Sequence, residues 1–207
     1  MYTHSEQYLT GGVPIGDAKS ALIMLHGRGS TAQNILSLAS ELNLEHFALY
    51  APQATRNSWY PYSFMAPDEQ NQPALNSAID TIDNLVNHII DGGIPADKIY
   101  FLGFSQGACL TLEYIARNPK KYGGAVAFTG GLIGEHLTLE NYAGDFHQTP
   151  VLITTGNPDV HVPLSRVEES VKILKDHDAD VILKVYPGRS HTISQEEIFL
   201  ANKHIFA

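Results

Sequence analysis

The fold of this chain is decided by the stretch Ile99-Tyr100-Phe101-Leu102-Gly103-Phe104-Ser105-Gln106-Gly107-Ala108. An apolar run typical of a buried strand leads into a G-x-S-x-G pattern, and helix-forming residues follow it. Glycines two residues to either side of Ser105 leave room for a sharp turn that exposes the serine hydroxyl. A helix that begins at Gln106 directs unpaired N–H groups toward the same point. The pattern predicts a nucleophilic serine; the alternative is a serine in an ordinary turn between a strand and a helix.

Short apolar runs alternate with amphipathic segments along the rest of the chain. Continuous apolar residues predict buried strands at 21–26, 45–51, 99–104, 124–128, 151–155 and 181–186. Predicted helices begin at Gln72-Pro73, at Gln106, at a capping box over 165–168 and at a second capping box over 194–197. Since buried strands separated by helices favour parallel pairing, the predicted class is α/β, with a mostly parallel central sheet and helices on both faces.

Two predicted loops are longer than the usual connections of a compact domain. Residues 52–72 are rich in aromatic side chains, and residues 132–149 show no period. Neither loop is long enough for an independent lid, so we predict a single domain over residues 1–207 with no separate lid domain. We expect Trp59 and Tyr60 to line a substrate cleft; the alternative is that such aromatic residues anchor the loop.

The composition argues against several classes of protein. The net charge is −9 and no basic run exceeds Lys120-Lys121, so nucleic acid is not the expected partner. The longest apolar run, 21–25, is too short to span a membrane, and the first residues do not resemble a signal peptide. The one cysteine, Cys109, cannot form an internal disulfide and is expected in the core. We therefore expect a cytoplasmic protein without a membrane span.

Ser105 needs a base, and the chain contains ten histidines. In an open parallel sheet, functional groups collect beyond the carboxyl ends of the strands. Three histidines are predicted to lie there: His26, His161 and His191. Proteins with this serine turn carry the serine, the acid and the histidine in that chain order, which selects His191 as the general base. The alternative for His191 is a surface position in a turn.

The acid is expected between Ser105 and His191, also beyond a strand. Asp159 follows the predicted strand 151–155 in the turn Gly156-Asn157-Pro158-Asp159, from which a carboxylate can reach an imidazole. Asp145 lies in the irregular loop, and three further aspartates precede the strand at 181 on the wrong edge. We therefore predict Asp159 as the acid; the alternative is a solvated loop.

A site for an oxyanion is expected beside the serine. The turn His26-Gly27-Arg28-Gly29-Ser30 ends the first predicted strand and can present the backbone N–H of Arg28. The serine turn supplies a second N–H from Gln106, and the two together predict an oxyanion hole. For the Arg28 side chain we expect a solvated position near the rim of the cleft; the alternative is a contact that binds an anion.

Four motifs in this order resemble the carboxylesterase/phospholipase family of small α/β hydrolases, which includes acyl-protein thioesterases and lysophospholipases. They are Leu25-His26-Gly27-Arg28-Gly29, the GFSQGA stretch at 103–108, residues 156–163, and Gly188-Arg189-Ser190-His191. The resemblance covers the chain after about the first 15 residues. It implies an α/β-hydrolase fold, a Ser105–Asp159–His191 triad, an oxyanion hole from the Arg28 and Gln106 amides, and no metal or cofactor. It is also compatible with a homodimer.

The chain departs from the family at two informative places. Thioesterases of the eukaryotic type carry a leucine and an aspartate where this chain has Arg28 and Ser30, so the resemblance does not extend to protein depalmitoylation. Dienelactone hydrolases have a similar turn but carry a cysteine at its tip, where this chain has Ser105. Cys109 lies one helical turn further on and cannot reach the same point.

These residues predict a serine hydrolase that cleaves carboxylic esters through an acyl-enzyme. Short-chain or aryl esters are the expected small-molecule substrates, with thioesters and lysophospholipids as further candidates. Two alternatives remain. A non-catalytic α/β-hydrolase fold could bind a ligand without turning it over. A metal could be held by Asp159, His161 and His191, which would leave Ser105 without a base.

Overall fold

The computed structural model describes residues 2–207, whose seven strands form one sheet. In chain order the strands are β1 (Tyr8–Gly12), β2 (Ser20–Leu25), β3 (Phe47–Pro52), β4 (Ile99–Phe104), β5 (Gly124–Phe128), β6 (Pro150–Asn157) and β7 (Asp180–Pro187). Their order across the sheet is β1-β3-β2-β4-β5-β6-β7. The pair β1–β3 is antiparallel and the five other pairs are parallel. The α/β prediction is confirmed.

Five α-helices cover the two faces of the sheet. They are α1 (Ala32–Ser37), α2 (Ala74–Asp91), α3 (Gln106–Arg117), α4 (Leu164–Asp176) and α5 (Gln195–His204). Apolar residues of α2, α3 and α4 pack on one face, and those of α1 and α5 pack on the other. Successive residues of β2 contribute to opposite faces, since Ile23 belongs to the first cluster and Met24 to the second. Burial on both faces explains the continuous apolar runs in the parallel strands.

Two elements were not predicted. Strand β1 lies at the edge of the sheet and is largely exposed, so its sequence Tyr-Leu-Thr-Gly-Gly carries no run of buried apolar residues. Helix α1 has only six residues, too few to establish an amphipathic period.

The capping-box prediction is wrong at Ser165 and confirmed at Ser194. Helix α4 begins at Leu164 after Pro163, which occupies the cap position and provides no side-chain cap. At α5 the Ser194 hydroxyl accepts a hydrogen bond from the Glu197 N–H, and the Glu197 carboxylate accepts one from the Ser194 N–H. Proline is favoured at the start of a helix because its φ is fixed near the helical value. Helix α4 therefore begins after Pro163, and Ser165 lies inside its first turn instead of capping it.

The long loops contain only short 3₁₀ turns among residues 2–207: Thr55–Asn57, Asp68–Asn71 and Leu139–Asn141. Neither loop forms a lid domain in the described part of the chain. Within the same residues, no helix is both long and apolar enough to cross a bilayer.

The glycines that flank Ser105 are required by close approach of the backbone. A Cβ atom on Gly107 would lie 2.0 Å from the carbonyl oxygen of Leu25, and one on Gly103 would lie 2.2 Å from the carbonyl oxygen of Gly107. Both obstacles are main-chain atoms in the centre of the fold, which cannot move aside as a flexible side chain can. The first turn of α3 therefore packs directly against the end of β2.

Replacing Gly107 by alanine is expected to lower the free energy of unfolding by roughly 3 kcal/mol or more, because a methyl group must displace the β2 backbone. Urea denaturation followed by circular dichroism measures the change. Gly16→Ala is the matched control, since a Cβ there meets nothing within 4 Å. Equal midpoints for the two variants would contradict the packing argument.

Candidate active site

Ser105 lies at the tip of a strained turn between β4 and α3. Its backbone has φ 54° and ψ −116°, outside the regions that side-chain-bearing residues normally adopt. The turn is held by the Ser105 N–H, which donates to Phe128 O at 3.0 Å, and by Ser105 O, which accepts from the Cys109 N–H at 3.0 Å. The conformation directs the hydroxyl away from the sheet and places the N-terminus of α3 beside it.

The structure brings Ser105, His191 and Asp159 together in one hydrogen-bonded chain. His191 Nε2 is 2.8 Å from Ser105 Oγ, and His191 Nδ1 is 2.8 Å from Asp159 Oδ2. Asp159 lies just beyond β6 and His191 just beyond β7, at the same edge of the sheet as the end of β4. Because a carboxylate can only accept, the proton of the imidazole belongs on Nδ1, which leaves Nε2 free to accept from the serine hydroxyl.

The Asp159 carboxylate is buried and fully engaged. Burial alone would raise its pKa, but hydrogen bonds from His191 and from the backbone N–H groups of His161 and Val162 outweigh burial and lower the pKa below its usual value. The two backbone donors both reach Oδ1, at 2.8 and 2.9 Å. Asp159 therefore stays ionised and holds the imidazole in one orientation.

A buried ion pair supports the turn that carries His191. Arg189 Nη1 is 2.8 Å from a carboxylate oxygen of Glu197, and Arg189 Nη2 donates to Thr129 Oγ1 at 2.9 Å. Glu197 is fully buried and also accepts from the Thr154 hydroxyl. Sequence reasoning missed this network; the capping box located Glu197, but nothing in its spacing indicated Arg189 as a second partner.

Two backbone N–H groups lie unpaired beside Ser105. Neither the Arg28 nor the Gln106 N–H has an acceptor among residues 2–207. The His26 ring orients the first of them: Nδ1 donates to Gly27 O at 2.8 Å, and Nε2 accepts from the Ala54 N–H at 3.1 Å. Since the peptide is trans and planar, the Arg28 N–H points away from that ring. Burial lowers the pKa of His26, which keeps the ring neutral and able to accept at Nε2.

A cavity of about 380 Å³ opens at Ser105 and His191. Its inner wall consists of the buried side chains Tyr60, Phe64, Cys109 and Val162, and its outer rim includes Arg28, Ser30 and His161. Burial raises the pKa of the Cys109 thiol to about 12, so the thiol remains protonated. Tyr60 thus lines the cavity, and Cys109 is buried as predicted.

The structure corrects the placement of Trp59. Its side chain is fully buried and does not line the cavity. The indole N–H donates to His26 O at 2.8 Å, and the indole ring lies 5.0 Å from the His26 ring. A buried tryptophan needs an acceptor for its N–H, and a carbonyl of the turn at residues 26–30, here called the first glycine turn, provides one. Trp59 therefore supports the turn from beneath.

The Arg28 side chain lies at the rim of the cavity as expected, but it also makes contacts that were not predicted. Although the residue is exposed, its guanidinium donates to Ser58 Oγ at 3.0 Å, to Pro61 O at 2.9 Å and to Tyr62 O. It also lies 5.8 Å from the centre of the Tyr60 ring. The side chain is thus bound to the aromatic loop.

The group considered for a metal has a different arrangement. The His161 ring meets the His191 ring edge-on at 5.0 Å, and both oxygens of Asp159 accept hydrogen bonds from the chain. In the described part of the chain, no three His, Cys, Asp or Glu side chains are placed to hold a metal ion.

The sequence and the fold of this chain are similar to those of known proteins. A sequence profile of the phospholipase/carboxylesterase family matches residues 13–207. Acyl-protein thioesterase 1 of Kluyveromyces lactis is 27% identical over 201 residues, which cover 87% of this chain and 88% of the relative. A probable carboxylesterase of Oryza sativa is 28% identical over 201 residues, covering 87% of this chain and 74% of the relative. The crystal structure of a phospholipase/carboxylesterase from Dyadobacter fermentans superimposes with a TM-score of 0.99 at 63% identity, over 100% of this chain and 99% of that one. This chain belongs to the phospholipase/carboxylesterase family of α/β hydrolases.

Proposed function

We propose that the protein is a serine hydrolase that cleaves carboxylic esters, with Ser105 as nucleophile, His191 as general base and Asp159 as the acid that orients it. The observation that carries the proposal is the continuous hydrogen-bonded chain from Ser105 Oγ through His191 to Asp159. Membership of the phospholipase/carboxylesterase family supports ester hydrolysis as the reaction.

The geometry is suited to a two-step acyl transfer. His191 Nε2 takes the hydroxyl proton as Ser105 Oγ attacks the ester carbonyl, and Asp159 stabilises the imidazolium. The Arg28 and Gln106 N–H groups donate to the oxyanion of the tetrahedral intermediate. His191 then gives the proton to the departing alcohol. Water, deprotonated by the same imidazole, attacks the acyl-enzyme. The Oγ–acyl bond breaks, the imidazolium returns the proton to Ser105 Oγ, and the carboxylic acid leaves.

The cavity favours compact substrates. Its inner wall is aromatic and apolar at Tyr60 and Phe64, and Phe104 lies on the side of His191, with the ring centres 5.2 Å apart. A volume of about 380 Å³ lies at the lower end of the range for small-molecule sites. Short-chain and aryl esters fit this description. Thioesters are a further candidate because a relative is named an acyl-protein thioesterase, and a thiolate leaves from the same tetrahedral intermediate.

Covalent labelling tests the nucleophile directly. Intact-mass analysis after incubation with a fluorophosphonate is expected to show one adduct on the wild-type protein and none on Ser105→Ala. A binding site alone cannot form this adduct, because phosphonylation requires an activated hydroxyl. If folded wild-type protein remains unlabelled and hydrolyses none of a series of p-nitrophenyl esters, the non-catalytic ligand-binding alternative replaces this proposal.

A further inference from the structure

Residues 59–62, here called the wall segment, contribute Tyr60 to the cavity and run past the first glycine turn. The segment has no helical or strand structure, and none of its backbone groups pairs with another backbone group among residues 2–207. Side chains within the same range bind its polar backbone atoms instead, apart from the Tyr60 N–H. His4 contacts Trp59 O at 2.9 Å, and Asn71 Oδ1 accepts from the Tyr62 N–H at 3.0 Å. The shape of this wall therefore depends on the few side chains that bind it.

Gln106 binds the first half of the wall segment. Its Oε1 accepts from the Trp59 N–H at 2.9 Å, and its Nε2 donates to Tyr60 O at 2.8 Å. The Gln106 side chain is buried, and these contacts use both its acceptor and its donor. Gln106 is also the residue whose backbone N–H faces the proposed oxyanion.

Arg28 binds the second half. Its guanidinium donates hydrogen bonds to the carbonyl oxygens of Pro61 and Tyr62. It also donates to Ser58 Oγ, and the Ser58 hydroxyl in turn donates to Tyr60 O. Three successive carbonyls, at residues 60 to 62, are thus held by side chains from the two turns beside Ser105. A guanidinium can bind two neighbouring carbonyl oxygens at once because its N–H donors lie in one plane. The ammonium group of a lysine cannot reproduce that geometry.

We propose that the Arg28 side chain is a specificity-determining residue, which holds the wall segment against the first glycine turn and so restricts the cavity to compact esters. This inference rests on the proposed esterase function. The same two residues would then offer their backbone N–H groups to the oxyanion and fix the wall with their side chains. Without the guanidinium, the carbonyls of Pro61 and Tyr62 lose their donors. Among residues 2–207, this end of the wall segment is then held only by Asn71 at the Tyr62 N–H and can move outward.

The test uses Arg28→Met, which keeps a long side chain but has no donor, beside Arg28→Lys and wild type. The measured quantity is the ratio of kcat/KM for a bulky ester, p-nitrophenyl 1-naphthoate, to that for p-nitrophenyl acetate. We expect Arg28→Met to raise this ratio by about tenfold, with Arg28→Lys between it and wild type. A loss of folded protein or a displaced oxyanion N–H lowers both rates together and leaves the ratio unchanged.

Arg56→Met is the matched control. Arg56 lies on the same loop, is exposed and contacts the Tyr2 ring, but within residues 2–207 it donates no hydrogen bond to the wall segment. The control removes the same charge and is expected to leave the ratio within about twofold of wild type. An equal rise in Arg56→Met and Arg28→Met would overturn the proposal, because loss of charge alone would then explain the change.

A second readout does not depend on catalysis. Trp59 is the only tryptophan of the chain and lies at the start of the wall segment, fully buried. Its fluorescence is expected to become more sensitive to acrylamide quenching in Arg28→Met than in wild type or Arg56→Met. If wild type proves inactive but quenching changes as expected, the esterase proposal fails and the structural role of Arg28 stands. If wild type is active but neither quenching nor the substrate ratio changes, the role of Arg28 is refuted.

Discussion

Ser105→Ala is expected to lower kcat for p-nitrophenyl acetate by about 10³-fold or more, because the variant has no hydroxyl to form the acyl-enzyme. The residual rate comes from binding and from the two N–H groups at Arg28 and Gln106, which remain when the hydroxyl is removed. The substitution leaves the flanking glycines and the backbone hydrogen bonds of the turn in place, so we expect the turn to be retained.

Steady-state kinetics of purified protein, with the unfolding midpoint measured in parallel, checks this loss. Ser165→Ala is the control, since Ser165 is an exposed serine in the first turn of α4 and makes no cap. It is expected to retain wild-type turnover. A Ser105→Ala variant with near-normal kcat would exclude the acyl-enzyme mechanism.

Asp159→Asn is expected to lower kcat on the order of 10⁴-fold, the loss associated with a wrong imidazole tautomer in this kind of triad. The amide oxygen of the introduced asparagine can still accept from the two backbone N–H groups that now reach Oδ1. The NH₂ group of the asparagine then faces His191 and donates a hydrogen bond to Nδ1. Because Nδ1 must accept this bond, the proton of the neutral imidazole moves to Nε2. An Nε2–H cannot take the proton of Ser105.

The matched control for this prediction is Asp145→Asn. Asp145 is half exposed and hydrogen-bonded to its neighbour His147, and it makes no contact with the triad. Its turnover is expected to stay within about twofold of wild type. If both variants lose activity equally, the effect is one of charge or stability; if neither does, Asp159 is not the orienting acid.

The parts of the site that the sequence predicted are those set by local geometry. One contiguous stretch of sequence forms strand β4, the turn at Ser105 and helix α3, so this strand–turn–helix unit could be predicted from that stretch alone. The rule that functional groups collect beyond parallel strands reduced the candidate histidines to three, and the chain order serine, acid, histidine then selected His191. Asp159 was predicted because it lies between Ser105 and His191, just beyond a strand. Predicting these residues required no knowledge of side-chain contacts.

The parts that the sequence did not predict depend on contacts between distant segments. The Arg28 guanidinium meets residues 30 to 34 positions away, and composition could not distinguish it from a solvated arginine. Trp59 was expected in the cleft because its loop is aromatic, but its N–H found a buried acceptor at His26 O. Strand β1 was not predicted because it lies exposed at the edge of the sheet, and an exposed edge strand does not require a run of apolar residues.

The separation of 86 residues between Ser105 and His191 has a consequence for a chain during its synthesis. Ser105 and its strained turn are synthesised near the middle of the chain of 207 residues, whereas His191 follows the last strand of the sheet. An isolated serine hydroxyl is a weak nucleophile at neutral pH. Under the proposed mechanism, a nascent chain cannot attack esters around it until β7 has joined the sheet, so hydrolytic competence appears only as folding is completed.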